Sequence, residues 1–183
     1  MPASSAARRS GMTLIELIVS LGILTLAVFG MTAVLVQTSS SSDRTQARSD
    51  LDSSVALAAE RVEHYLIEAR SITIDTNGLG LTYKYPTKNT DGTYTSSANA
   101  VETTSRRLYV ADGVLCSSDE PDRPILADIP VTDPETAQPI RVFSAGINDR
   151  EIEVRLVSHR TIRDNTFYSA VTARIQPRNM PQP

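Results

Sequence analysis

Residues 11–36 have the sequence GMTLIELIVSLGILTLAVFGMTAVLV, and this apolar stretch decides the fold. After Glu16, no charged residue occurs before Asp43. A helix needs about 20 apolar residues to cross the hydrocarbon core of a bilayer, and this run is long enough. Arg8 and Arg9 stand just before it, and the positive-inside rule keeps such a basic end in the cytoplasm. The sequence therefore predicts one transmembrane helix over residues 12–36, with the rest of the chain outside.

Glu16 is the one acidic residue at the start of this helix. A carboxylate one turn inside an apolar segment is costly, so its presence indicates a function. A simpler interpretation is that Glu16 lies at the membrane interface, where the positive end of the helix dipole favours an anion. The residues by themselves leave both interpretations open.

The stretch from Gly11 to Leu17 resembles the processing site of type IV prepilins and pseudopilins. In that family a short basic leader ends in Gly, and a dedicated membrane peptidase cuts after it and methylates the new N-terminus. The fifth residue of the mature chain is Glu. The resemblance implies cleavage between Gly11 and Met12, N-methylation of Met12, and Glu16 as the family's acid. The family usually has Phe where this chain has Met12, and the helix-kinking proline of major pilins has no counterpart here.

The resemblance also implies partners and a role for the acid. The partners are the prepilin peptidase, other pilin or pseudopilin subunits that pack along the N-terminal helix, and the membrane. A freed amine at Met12 needs a counter-charge in lipid, because an unpaired charge in hydrocarbon is expensive. Glu16 of a neighbouring subunit would provide it and would select the correct stagger during assembly.

The length of the chain limits its number of domains, and its charge limits its partners. The 183 residues allow one ordinary domain plus an anchor, and the formal net charge is -3. A general nucleic-acid binder would have a basic footprint, so no nucleic-acid partner is expected. Residues 1–11 are interpreted as a cleaved leader. An ordinary secretory signal and a twin-arginine signal are the competing interpretations, and the long apolar run with Glu16 at its start disfavours both.

A second amphipathic segment follows the membrane helix. After a serine-rich exit, apolar residues recur at spacings of three and four, which is typical of a helix with one buried face. These residues are Ala47, Leu51, Val55, Ala58, Val62, Tyr65 or Leu66, Ala69 and Ile72. We therefore expect residues 37–73 to continue the helix, from about Thr13 to about Ser71. A coiled-coil stalk is the alternative for this half.

Residues 74–183 are predicted to form a β-rich head. Alternating patterns predict strands at 79–85, 140–143, 151–157 and 167–175. A hairpin is predicted from 107 to 116 with Asp112-Gly113 at its turn. The polar segment 87–104 and the proline-rich segment 117–139 are interpreted as loops, with one short strand near 125–129, and they are where specificity is expected. The fold class is therefore α+β, with a long helix packed on an antiparallel sheet. This order resembles the larger minor pseudopilins and related minor pilins.

Catalytic and metal-binding patterns are scarce. Cys116 is the single cysteine and is expected to be a small core residue, while His64 and His159 are expected to be structural. No catalytic cluster, metal site or cofactor is predicted. Acids in the proline-rich loop could instead line a calcium site: Asp119, Glu120, Asp122, Asp128, Asp133 and Glu135. A basic patch for DNA is a further alternative to a solvated sheet edge, formed by Lys84, Lys88, Arg106 and Arg107.

These observations predict a subunit that works by association and is not an enzyme. The expected protein is a minor pilin or minor pseudopilin of a type IV pilus or a type II secretion pseudopilus, within an initiation or tip complex. It would be a single-pass protein of the cytoplasmic membrane with its head in the periplasm or outside the cell. Two alternatives stay open: a tip adhesin or DNA-uptake pilin whose head binds a ligand, and an uncleaved membrane-tethered sensor or enzyme.

Overall fold

The computed structural model describes residues 13–93, 100–146, 151–162 and 164–179. Within them the chain forms one helix, α1 (Leu14–Ile67), followed by strands in two sheets. The strands are β1 (Ser71–Ile74), β2 (Gly80–Lys84), β3 (Arg106–Ala111), β4 (Val114–Ser117), β5 (Phe143–Ala145), β6 (Ile152–Ile162) and β7 (Asn165–Ile175). By its internal contacts the chain divides after Thr45 into an N-terminal helical unit and a head unit that begins at Gln46. The predicted α+β class is confirmed.

The part of α1 within the head unit buries one stripe of side chains. Its buried members are Ala47, Leu51, Val55, Ala58, Val62 and Leu66, which confirms the predicted periodicity. The helix ends at Ile67, four residues before the predicted end near Ser71. Residues 71–74 instead form β1, because their backbone pairs with β2. This pairing begins just before β1, where the N–H of Arg70 donates to the carbonyl of Lys84 at 2.9 Å.

The first sheet is antiparallel and has the strand order β1-β2-β3-β4. The predicted strand at 79–85 and the predicted hairpin at 107–116 are both present, as β2 and as the β3–β4 pair. Asp112 and Gly113 form the turn between β3 and β4 with φ angles of 51° and 75°. Two successive left-handed residues are what a type I′ hairpin turn requires, which explains the Asp-Gly signal in the sequence.

The second sheet has the order β5-β6-β7, so the head holds two sheets where one was expected. β6 and β7 form a long hairpin that pairs without interruption from Ile152↔Ile175 to Ile162↔Asn165. The strand predicted at 140–143 begins only at Phe143, although Ile140 and Val142 are buried. Near 125–129 the chain makes only an isolated bridge, Leu115↔Leu126, in place of the predicted strand.

The core joins the helix stripe to both sheets. Val55, Ala58, Val62 and Leu66 of α1 belong to the same buried cluster as the inward side chains of the strands. The strand members are Leu81, Tyr83, Leu108, Leu115, Phe143, Ile152, Val154, Leu156, Val157 and Ile175. One apolar face of the helix and one apolar face of each sheet are thereby removed from water, which is the main driving force for this packing.

Candidate functional site: the N-terminal apolar helix

The first half of α1 presents apolar side chains on every face. The large apolar residues from Leu14 to Val36 have exposed fractions between 54% and 79%. A helix that is apolar all round is typical of a membrane span or of a helix surrounded by other helices. By length and composition α1 is able to cross a membrane, and a signal sequence near the N-terminus meets the same criterion. The chain thus has an N-terminal helix suited to a membrane anchor or a signal sequence.

Two threonine hydroxyls within this segment are satisfied by the helix itself. The side chain of Thr25 donates to the carbonyl of Leu21 at 2.7 Å, and that of Thr32 donates to the carbonyl of Val28 at 2.8 Å. Such bonds to the residue four positions earlier are common for Thr in helices. In hydrocarbon an unsatisfied polar group costs several kcal/mol. These threonines therefore fit a lipid environment without a partner from outside the helix.

The helix begins at a cap that involves the backbone N–H of Glu16. The N–H of Glu16 faces the hydroxyl of Thr13 at 3.4 Å and donates to the carbonyl of Thr13 at 3.0 Å. Thr13 therefore precedes the helix as its N-cap, and Glu16 is the third residue of the first turn. Thr-x-x-Glu before an apolar run is the capping-box pattern, a signal that the sequence analysis missed. The other predicted site residues, Arg8, Arg9, Gly11 and Met12, lie outside the described residues.

The capping-box pattern gives the Glu16 side chain a further interpretation, whose chemistry differs from that of charge pairing. A capping box accepts Gln as well as Glu at the third position, because its bond to the N-cap N–H needs only a side-chain oxygen. A counter-ion for an amine in lipid must carry the negative charge. The two roles are therefore separable by a substitution that keeps the oxygen and removes the charge.

Most acids considered for calcium contact arginines instead. Asp133 accepts from Nε of Arg155 at 2.6 Å, and Glu135 accepts from the same guanidinium at 2.6 Å. Asp119 lies 3.3 Å from Nε of Arg106. The hydrogen bonds from Arg155 and from nearby backbone N–H groups hold the pKa of Asp133 below its usual value. In the described part of the chain, no group of three or more His, Cys, Asp or Glu is arranged to hold a metal ion.

The two arginines considered for DNA binding also contact carboxylates. Arg106 contacts Glu102 at 3.4 Å as well as Asp119, and its guanidinium lies 4.3 Å from the ring centre of Tyr85. Arg107 forms an ion pair with Asp75. These two guanidinium groups therefore face carboxylates of the same head, which weakens the case for a phosphate-binding patch.

The single cysteine and the two histidines lie at positions that differ in burial and contacts. Cys116 is half-buried on the side of β4 opposite the buried Leu115, so its predicted place in the core is wrong. His64 is exposed in the last turn of α1. His159 lies within β6, and its Nδ1 is 2.7 Å from the carbonyl oxygen of Asp128.

A tyrosine cluster in the head was not foreseen from the sequence. Tyr83 is fully buried, and its ring centre lies 5.5 Å from that of Tyr85 in an edge-to-face arrangement. The hydroxyl of Tyr83 lies 3.5 Å from a carboxylate oxygen of Asp119, and the hydroxyl of Tyr85 donates to the carbonyl of Tyr65 at 3.2 Å. Burial raises the pKa of Tyr83, so the phenol stays neutral at any physiological pH. The cluster therefore supports the core and offers no acid or base for catalysis.

Comparison with known proteins finds no match to this chain. No protein-family model matches the chain, and neither a curated protein nor a solved structure does so. The architecture itself is pilin-like: a long N-terminal apolar helix whose second half packs on antiparallel β-sheets.

Proposed function

We propose that this chain is a minor pilin or minor pseudopilin subunit. In this proposal the chain enters the cytoplasmic membrane, is cleaved after Gly11 and is methylated at Met12. It then joins a type IV pilus or a type II secretion pseudopilus as part of an initiation or tip complex. Its partners are the prepilin peptidase and other subunits that pack along the N-terminal helix. The head catalyses no reaction and uses no cofactor, and the protein acts through assembly alone.

One observation carries the proposal: an all-round apolar helix with a single acid in its first turn continues directly into the helix that forms the spine of a β-rich head. The apolar part spans Leu14 to Val36, and Glu16 is the acid. A simple anchor has no need of a carboxylate there, because ionisable groups in membrane helices are expensive and mark functional sites. A helix that serves both as an anchor and as an assembly surface does need one, because apolar packing by itself leaves the stagger between neighbouring helices undefined.

The charge of Glu16 would define the stagger between neighbouring helices. Helices in lipid associate through van der Waals packing and polar contacts, since lipid is as apolar as leucine. The positive N-terminus of one processed subunit would pair with the carboxylate at position 16 of its neighbour. A shift along the helix axis would leave both charges unpaired in a low-dielectric medium, at a cost of several kcal/mol. Only the correct stagger avoids this cost.

Three variants separate this role from the capping role. We expect Glu16→Gln to lose assembly about as fully as Glu16→Ala, because both remove the charge although Gln keeps the capping oxygen. We expect Thr13→Ala to assemble nearly normally, because loss of an N-cap costs only about 1 kcal/mol. The measurement is the fraction of the chain in sheared filaments or in cross-linked subunit complexes, relative to the amount in the membrane. Wild-type assembly by Glu16→Gln would refute the charge-pairing role.

The adhesin and DNA-uptake alternative shares the membrane helix and differs in what the head binds. The ion pairs of Arg106 and Arg107 and the net charge of -3 disfavour DNA. We therefore expect the detergent-solubilised chain to have no saturable DNA binding. The measurement is a titration with labelled DNA at two salt concentrations, since binding through phosphates weakens steeply as salt rises. Saturable binding that falls steeply with salt would favour the DNA-uptake alternative.

A further inference from the structure

The C-terminal end of α1 has no glycine cap. Many helices end at a glycine with a left-handed backbone, and backbone N–H groups at that turn satisfy the last carbonyls of the helix. No glycine occurs between Gly30 and Gly78, and α1 ends within this stretch at Ile67. The last carbonyls of a helix have no partner within the helix itself. The carbonyls of residues 65–68 therefore need donors from elsewhere.

Two of these carbonyls are satisfied by groups from the first part of the head. The carbonyl of Tyr65 accepts from the hydroxyl of Tyr85 at 3.2 Å. The carbonyl of Leu66 accepts from the N–H of Ala69 at 3.0 Å, a bond that tightens the chain directly after the helix. Both donors are in place once β2 has paired with β1.

The other two carbonyls are satisfied by the segment that follows β7. The N–H of Arg178 donates to the carbonyl of Ile67 at 2.8 Å. The side-chain amide of Asn179 donates through Nδ2 to the carbonyl of Glu68 at 3.0 Å, across 111 positions of the chain. Residues near the C-terminus thus supply the cap that the local sequence of α1 lacks.

This C-terminal segment lies outside both sheets. The pairing of β7 with β6 ends at Ile175, and no strand includes residues 176–179. Gln176 and Arg178 are exposed, and Pro177 between them is buried. The segment can therefore leave α1 without breaking a strand pair, and terminal segments of this kind open at a lower free energy than a folded core.

We propose that residues 177–179 form a strap that closes on the end of α1 and can be released. When the strap is closed, its two donors hold the last turn of α1 in helical form. When it is open, the carbonyls of Ile67 and Glu68 turn to water, and the last turn frays while both sheets stay paired.

The strap also determines the shape of a groove on the head. The last turns of α1 form one wall of this groove, which includes Glu63 and Ile67, and the opposite wall includes Glu120 and Arg123 of the proline-rich loop. A frayed last turn removes part of the first wall, so the groove keeps its shape only when the strap is closed. This role concerns the head and does not depend on the proposed cleavage or assembly.

Hydrogen exchange of the chain in detergent, followed by mass spectrometry, tests the strap. A chain that stops after Gln176 lacks the strap, and a chain that stops after Asn179 keeps it and serves as the control. In the shorter chain we expect the amides of residues 65–70 to exchange about five-fold faster or more, because local opening no longer has to break the strap's bonds. The amides of β6 should keep their rates, and the control should match the full chain.

Three outcomes of this experiment would overturn the proposal. Unchanged exchange at residues 65–70 in the shorter chain would show that the segment does not hold the helix end. Equal acceleration throughout the head would show that the strap cannot open by itself. Equal acceleration in the control would assign the effect to residues beyond the strap.

Asn179→Asp tests the side-chain bond without shortening the chain. The substitution replaces the donating amide by a carboxylate of the same size, which cannot donate and faces the negative end of the helix dipole. Gln176→Glu is the matched control, because it adds the same charge at an exposed position beside the strap. We expect several-fold faster exchange at residues 65–70 in Asn179→Asp and the rates of the full chain in Gln176→Glu. Equal rates in the two variants would contradict the proposed role of Asn179.

Discussion

Arg155 fixes the long proline-rich loop to the second sheet. Its Nε donates to Asp133 at 2.6 Å, and one terminal nitrogen donates to Glu135 at 2.6 Å. Asp133 is buried, and its other oxygen accepts from the backbone N–H of Glu135 at 2.8 Å, so the carboxylate closes the turn of the loop as well. Removal of the Asp133 carboxylate would leave Nε of Arg155 without its acceptor, and an unsatisfied donor of this kind costs about 1–3 kcal/mol. One acid of the proposed calcium set thus has a structural role.

Replacing Asp133 by Asn should lower the free energy of unfolding in a pH-dependent way. The pKa of Asp133 is lowered in the folded protein. Its stabilising contribution is therefore complete above the ordinary carboxyl pKa of about 4, and it is lost as the pH falls through the lowered folded value. We expect Asp133→Asn to be less stable than wild type by about 1–3 kcal/mol at pH 7, and the difference to shrink below pH 4. Denaturant unfolding at several pH values measures this, with the exposed Asp122→Asn as the control. A difference independent of pH would contradict the assignment.

The part of α1 within the head unit carries both buried and exposed leucines. Leu66 is fully buried, whereas Leu57 on the same helix keeps 58% of its surface exposed. Leu66→Ala should reduce the free energy of unfolding by about 2–5 kcal/mol, because it removes buried methyl groups and leaves a cavity. Leu57→Ala should change it by less than about 0.5 kcal/mol. Unfolding followed by the tyrosine signal in near-ultraviolet circular dichroism measures both, since the chain has no Trp. Equal effects would contradict the orientation of the helix.

The same element illustrates what could be predicted from the sequence. The buried stripe from Ala47 to Leu66 was predictable because helical periodicity is a local property. Residues 71–73 were assigned to the helix because Ile72 fits the same spacing. Together with Ile74 they form β1 instead, because their backbone pairs with β2. Strand pairing joins residues far apart in the chain, so the division into two sheets left no local signal. The Asp112-Gly113 turn was predictable because its left-handed geometry demands those residue types.

Along the whole molecule, a segment with exposed apolar side chains precedes a segment with a buried apolar core. Up to Val36 the apolar side chains are exposed, and beyond Gln46 they are mostly buried in a head with its own core. The apolar segment was predictable because it is a continuous run with a basic flank. The role of Glu16 was only partly predictable, since the Thr-x-x-Glu spacing at the helix start also fits a capping box. The ion pairs that occupy the loop acids were not predictable, because they join the loop to distant strands.

The mass of the mature N-terminus tests the central proposal most directly. The chain is purified from the membrane of cells that contain the prepilin peptidase, and its N-terminal peptide is measured by mass spectrometry. We predict a chain that begins at Met12 and carries one methyl group on its amine. A Gly11→Leu variant, which should block cleavage, serves as the control and should keep the leader. A chain that begins at Met1, or one cut at a different position without methylation, would contradict the assignment to the pilin and pseudopilin subunits.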